Sequence, residues 1–262
     1  MLANSGTMVP NRAALKKRIL RFFDSKSFQR DQVKEVVDKL SQLGEVALFG
    51  GMIRDLCFES IRTFNSDVDI VVNTGNEKQF FDIVKRYNHT QNAYGGFRIF
   101  LDKWSLDVWT LPKTWAFQNH YNDCTGFKSL IYTTFFTWDA IVFEILSGEF
   151  HCRDDYFDYL NGRILDINLQ PNPNVLGAVV RTWRFLELRQ ARLSKRLAIY
   201  LEEKTREHGV DIVSGYEVKS YNNPCMTKAH LRRSYARLVE YLDTDSDDLF
   251  ELSHCVQASL YS

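Results

Sequence analysis

Along the first 110 residues the hydrophobic pattern switches repeatedly between helical and strand period. "RAALKKRILRFFDS" and "RDQVKEVVDKLSQLG" carry apolar residues at helical spacing, and the second closes on Gly44 as a helix stop. "EVALFGG" reads as a short buried strand, "MIRDLCFESI" as a helix, "SDVDIVVN" as a strand and "EKQFFDIVKRYNH" as a helix. "FRIFLD" and "WSLDVWTL" form a predicted hairpin joined by the charged "DKW". This alternation predicts an α/β (α+β) arrangement, a mixed sheet with helices packed on it. Beyond about residue 173 the texture changes. "NVLGAVVRTWRFLELRQARL", "SKRLAIYLEEKTREHG" and "MTKAHLRRSYARLVEYLDT" are helical in period, with the polar "VDIVSGYEVKSYNNP" expected as a separator. The expected organisation is therefore N-terminal helices and an α/β head over 1–172, then a small helical neck and body over 173–262. No repeat, low-complexity run or Pro/Gly-rich linker interrupts it.

Composition narrows the classes without naming one. At 262 residues the chain can bury a sizeable core, and 45% hydrophobic with 25% charged residues is ordinary for a globular protein. Formal net charge is zero, so no global field draws the chain to nucleic acid or membrane, and any such binding needs a local patch. Apolar runs such as "ALFGGMI" are too short to span a bilayer, and "MLANSGTMVPNRAALKKRIL" lacks the order of a secretory signal. The five cysteines (57, 124, 152, 225, 255) show no CxxC spacing. Free thiols in a reducing cytoplasm are the expectation, which leaves the Asn88–Thr90 sequon without a role.

The candidate chemistry begins at "NSDVDIVV". On a strand Asp67 and Asp69 point to one face while Val68 and Ile70 point to the other. Two carboxylates on one face repel unless a cation lies between them, and hard oxygen ligands suit Mg²⁺. A solvated sheet face is the plain alternative. Gly50 and Gly51 stand where a strand turns into a helix, where backbone N–H groups can approach a phosphate; tight helix-on-strand packing explains them equally well. Asp107, between Leu106 and Val108, is an acid within an apolar strand. If its strand neighbours the first, Asp67, Asp69 and Asp107 converge, and three carboxylates can hold two divalent ions; the other reading turns Asp107 to the surface. The six histidines form no HExxH or metal cluster, and no Ser/His/Asp set stands out.

These residues resemble the polymerase β-type nucleotidyltransferase superfamily. More narrowly they resemble the head of class II CCA-adding enzymes and bacterial poly(A) polymerases. Gly50-Gly51-Met52-Ile53-Arg54-Asp55 stands for the GGxVRD motif, Asp67-Val68-Asp69 for DxD, and Leu106-Asp107-Val108 for the third acid's strand. "FFTWDAIVFE" is similar to RDFTxNA through Phe136, Thr137 and Ala140, with Asp139 in place of Asn. "FDYLNGRILDI" is similar to the segment DPxxGxxDL through Asp158, Gly162 and Asp166, and "VVRTWRFLELR" to the neck RxxRF through Arg181, Arg184 and Phe185. Thr134-Phe135 replaces the Arg-Asp of RDFTxNA, and "NVLGA" stands where the base-reading EDxxR would be.

The resemblance implies a metal-dependent transfer of NMP from an NTP, ATP included, to an acceptor hydroxyl, with release of pyrophosphate. It implies a two-metal Mg²⁺ site (Mn²⁺ as substitute) at Asp67, Asp69 and Asp107, with Gly50, Gly51, Arg54, Ser66, Arg181 and Arg184 around the nucleotide. Arg54 either faces the triphosphate or pairs with a neighbouring acid. Arg181 and Arg184, one turn apart, hold a base or phosphate, or pack. "KAHLRRSYARL" either tracks an RNA backbone or is a solvated helix. The expected acceptor is a tRNA-like RNA 3′ end. The alternatives are a protein side chain or small nucleotide, and a non-catalytic nucleotide- or RNA-binding module.

Overall fold

Asn11 starts the first helix by accepting the Ala14 N–H on its side chain, and the helix that follows, α1 (Arg12–Asp24), buries Leu15, Ile19 and Phe22 along one stripe. The computed structural model describes residues 8–26, 29–244 and 246–252; Cys255 lies outside them. The chain divides into two compact units, Met1–Asn161 and Gly162–Ser262.

In the first unit α1 packs on α2 (Arg30–Ser41) and on α3 (Gly51–Phe58). Between them runs β1 (Glu45–Phe49), followed by β2 (Val68–Asn73), α4 (Glu77–Val84), β3 (Asn88–Gln91), β4 (Phe97–Phe100) and β5 (Ser105–Thr110). A four-residue α5 (Trp115–Gln118), a 3-10 segment Phe127–Tyr132, β6 (Ile141–Glu144), β7 (Phe150–Cys152) and α6 (Tyr156–Asn161) complete it. The seven strands form one sheet in the order β3-β4-β5-β2-β1-β6-β7. Only the β2–β5 pair is parallel, because α4 and the β3–β4 hairpin lie between them in the chain. The helical face of the sheet carries Val46, Leu48, Val68, Ile70, Leu106 and Val108, all nearly or fully buried. On the opposite face Ala47, Val71 and Val142 join Leu111, Phe117, Phe127, Leu130 and Ile131 in a second apolar cluster. The β4–β5 turn is anchored by Trp104, whose ring stands edge-on to Phe22 of α1 at 5.2 Å.

The second unit contains β8 (Ile164–Leu165), α7 (Val175–Arg189), β9 (Arg192–Leu193), α8 (Lys195–His208), α9 (Val210–Ser220) and α10 (Lys228–Leu242). Side chains of Asn174, Ser194 and Thr227 cap α7, α8 and α10. Trp183, fully buried, donates its ring N–H to Thr205 Oγ1 at 3.1 Å.

Two sequence expectations need correction. The stretch expected as a polar separator is the helix α9, whose Val213 and Glu217 are buried one turn apart. Strands β3, β6 and β7 had no place in the reading, being three or four residues long and, for β3, polar throughout. The predicted β4–β5 hairpin, by contrast, forms as an antiparallel pair.

Candidate active site

The site follows from strand register. Asp67 immediately precedes β2 and Asp69 lies within it, on the face opposite the buried Val68 and Ile70. In the parallel β2–β5 ladder Asp69 stands beside Asp107, and in the antiparallel β4–β5 ladder Asp107 stands beside Arg98. One row across three strands therefore reads Asp69, Asp107, Arg98. The Arg98 guanidinium grips both oxygens of Asp107, Nε to Oδ1 at 2.8 Å and Nη2 to Oδ2 at 2.5 Å, and Nη2 also reaches Asp67 Oδ2 at 2.8 Å.

Asp69 is the unsatisfied member. Among the described residues no hydrogen bond reaches its carboxylate. Burial pushes its carboxyl well above the usual range, the negative fields of Asp107, Asp67 and Asp139 push further, and Arg54 opposes them. Burial also raises Asp67, against the pull of Arg98, while its bonds to Asp107 hold Arg98 firmly charged. Among the described residues only Glu144, Glu149 and His151 bring one ligand atom each within 4.8 Å of one another; the aspartates stand wider, with Arg98 between Asp67 and Asp107. An all-oxygen donor set around an unpaired, half-buried carboxylate fits a hard divalent cation.

Because β1 runs antiparallel to β2, its C-terminal end meets the end of β2 where the aspartates lie. There Gly50 takes φ 66°, ψ −125°, a backbone conformation that L side chains rarely adopt, and its N–H donates to Ile141 O at 3.2 Å. Ile53 and Arg54 N–H both donate to Gly50 O at 3.1 Å, so the amides left for an anion at the start of α3 are those of Gly51 and Met52. A Cβ on Gly51 would lie 3.4 Å from both Asp69 Oδ2 and Arg54 Nη2, so the turn abuts the carboxylate directly.

Arg54 is buried with two acids of its own. Nε and Nη2 each donate to Asp55 at 3.0 Å, and Nη1 donates to Asp139. Burial disfavours its charge, but Asp139 and Asp55 outweigh that and hold it protonated. Ser66 donates to Asp55 Oδ2 at 2.5 Å, which ties the segment before β2 to α3. Of the two outcomes weighed for Arg54, the structure shows the pairing with neighbouring acids.

In the helical unit, Arg184 donates to Glu217 Oε1 at 2.6 Å and to Asn223 O at 3.2 Å, and it lies 3.9 Å over the Tyr221 ring. Arg184 is thus held by groups of its own unit; Arg181 lies one turn earlier on α7. The basic helix α10 is also engaged internally: Lys228 and Arg232 pair with Asp211, His230 with Glu187, and the Tyr235 hydroxyl donates to Glu202. Sequence reasoning missed Arg98, although counting back from the hairpin turn places it opposite Asp107. It also missed the Glu144–Glu149–His151 group, which the β6–β7 hairpin assembles and in which His151 bonds Glu144 at 2.6 Å.

No protein-family model matches the chain, and no curated protein sequence does. Among the described residues no helix is long and apolar enough to cross a membrane. Solved structures do match. The Thermotoga maritima CCA-adding enzyme complexed with tRNA aligns with a TM-score of 0.56 at 17% identity, over 86% of this chain and 54% of that one. A CCA-adding enzyme with CTP gives 0.55 at 16%, over 86% and 55%. A tRNA nucleotidyltransferase with a primer tRNA and an incoming ATP analog gives 0.53 at 17%, over 79% and 62%. The chain thus spans 54–62% of the length of these structures. Its mixed α/β architecture is a polymerase β-type nucleotidyltransferase-like fold.

Proposed function

We propose that this protein is a metal-dependent nucleotidyltransferase that moves NMP from an NTP to the 3′ hydroxyl of an RNA, tRNA-like in kind, and releases pyrophosphate. The observation that carries the reading is the strand register that sets Asp69 beside Asp107, with Asp67 on the same face and the glycine turn against Asp69. Asp67, Asp69 and Asp107 would hold Mg²⁺, or Mn²⁺ in its place. When bound, such ions neutralise the triphosphate and acidify the attacking hydroxyl. The Gly51 and Met52 amides at the start of α3 would receive the phosphate tail, and the helix dipole favours its charge. Gly51 leaves room for that approach. The Arg54–Asp55–Asp139 cluster fixes α3 behind the turn, and Ser66 fixes the start of β2 against it. Cys57, Cys124, Cys152 and Cys225 are free, which supports a reducing cytoplasmic setting.

A second reading changes only the acceptor, to a protein side chain or a small nucleotide. The zero net charge and the internal pairing of Lys228 and Arg232 on α10 favour it, since an RNA backbone wants free cationic groups.

The test is incubation with Mg²⁺ and each α-³²P-labelled NTP, with cellular RNA or soluble protein, beside D67A and D69A controls. Label on RNA that vanishes in the controls is the expected result. Label on protein moves the acceptor to a side chain. Label nowhere, or undiminished in the controls, overturns the catalytic reading.

A further inference from the structure

The contact between Arg98 and the acidic row bears on how the site is loaded. Both Asp107 oxygens accept from a bidentate guanidinium, which takes one lone pair of each and sets a positive charge against the approach of another cation. Asp67 is capped at one oxygen only, and Asp69 is uncapped among the described residues. Three carboxylates less one guanidinium leave two net negative charges, the charge of one divalent ion.

We propose that Arg98 withholds Asp107 from divalent ions. The resting site then takes a single ion on Asp67 and Asp69, and an ion that needs Asp107 binds only once Arg98 has been displaced. This rests on the nucleotidyltransferase reading of the three aspartates. Arg98 is a positioning residue in this scheme, acting through Asp107. The group suited to displace it is a phosphate, because the same two-pronged donor face that fits a carboxylate fits two phosphate oxygens. Arrival of a phosphate-bearing substrate would therefore free Asp107, so that the site becomes fully metal-competent only when occupied. Without substrate Asp107 stays paired with a side chain of the protein itself, held in place by the β4–β5 ladder.

The test reads metal binding, without turnover. Mn²⁺ binding is measured by calorimetry and by electron paramagnetic resonance on wild type, R98Q, R98K and D69N. All are prepared in an H151Q background, so that the separate Glu144–Glu149–His151 group does not contribute. Wild type is expected to bind one equivalent well and a second weakly. R98Q should bind the second at least about tenfold tighter, the scale of one lost charge-assisted hydrogen bond. R98K, which keeps the charge without the fork, should fall between. Identical isotherms for wild type and both Arg98 variants overturn the proposal, as does a wild type that binds two equivalents equally well. Circular dichroism confirms folding; should R98Q not fold, R98K decides alone, and an unchanged isotherm overturns the proposal. D69N separates the two readings: if it binds Mn²⁺ as wild type does, the aspartates are no metal site and the functional reading fails as well. If D69N loses binding while the Arg98 variants change nothing, only the present inference falls.

Discussion

Replacing Arg54 with methionine isolates the buried cluster behind the glycine turn. Arg54 keeps 10% of its side chain exposed, and its partners Asp55 and Asp139 keep 11% and 10%. Methionine matches the length of the stem but leaves two carboxylates facing each other without a cation. Removing one partner of a buried ion pair costs about 3–5 kcal/mol, most of it the burden of the stranded charge. For a unit of 161 residues each kcal/mol moves the melting temperature by about 2–4 °C, so R54M should melt roughly 6–20 °C below wild type. The assay is thermal unfolding by circular dichroism or calorimetry in metal-free buffer at neutral pH. R54M/D139N is the companion, because it removes one of the two stranded charges and should recover about half the loss. An R54M protein within about 1 kcal/mol of wild type would refute the reasoning. So would a double variant no more stable than the single one, since the cost would then lie in packing and not in charge.

Two further outcomes follow from the site. The Asp69 carboxyl is raised by burial and then by its acidic neighbours, so the folded state binds that proton more tightly than the unfolded chain, where an Asp titrates near about 3.9. The resulting stabilisation is full below that value and is lost as pH rises through the raised folded value. Metal-free wild type should therefore lose melting temperature toward neutral pH more steeply than D69N, and the gain on adding Mg²⁺ should grow with pH; parallel pH curves for the two proteins would contradict this. Gly50 has no heavy atom within 4 Å of where a Cβ would sit, so Gly50→Ala should cost about 1–3 kcal/mol through backbone strain alone. An unchanged melting temperature in that variant would show that the turn is not held at φ 66°.

What the sequence made legible was whatever depended on period and local chemistry. Asp67 and Asp69 could be placed on one face because Val68 and Ile70 fix the other, and Asp107 carried the same signature between Leu106 and Val108. Its adjacency to Asp69 required a parallel pairing across some forty residues of chain, which no local pattern encodes. Arg98 escaped notice because an arginine on a short strand looks like a solvated edge until its partner across the hairpin is identified. The helix α9 hid because its apolar residues do not gather on one face: Val213 is buried while Ile212 and Val218 are exposed. Glu217 reads as a surface acid, yet it is 1% exposed beneath Arg184, and that ion pair supplies what a hydrophobic stripe would have announced. The Arg54 cluster was half visible: Asp55 is adjacent in sequence, whereas Asp139 arrives from eighty-five residues away.

The row formed by Asp69, Asp107 and Arg98 makes this head sensitive to one kind of genetic change above others. Side chains alternate faces, so gaining or losing one residue in the turn between β4 and β5 would swing Arg98 away from Asp107 to the face where Ile99 and Val108 are buried. That turn is short and is pinned to α1 through Trp104, which leaves little slack to take up an extra residue. Lineages carrying this head would tolerate substitutions along these strands, and length changes in the surrounding loops, far more readily than a single-codon insertion or deletion at Leu101–Trp104. Constant spacing between Arg98 and Asp107, more than identity at any flanking position, is the trace such a constraint leaves in a set of genes.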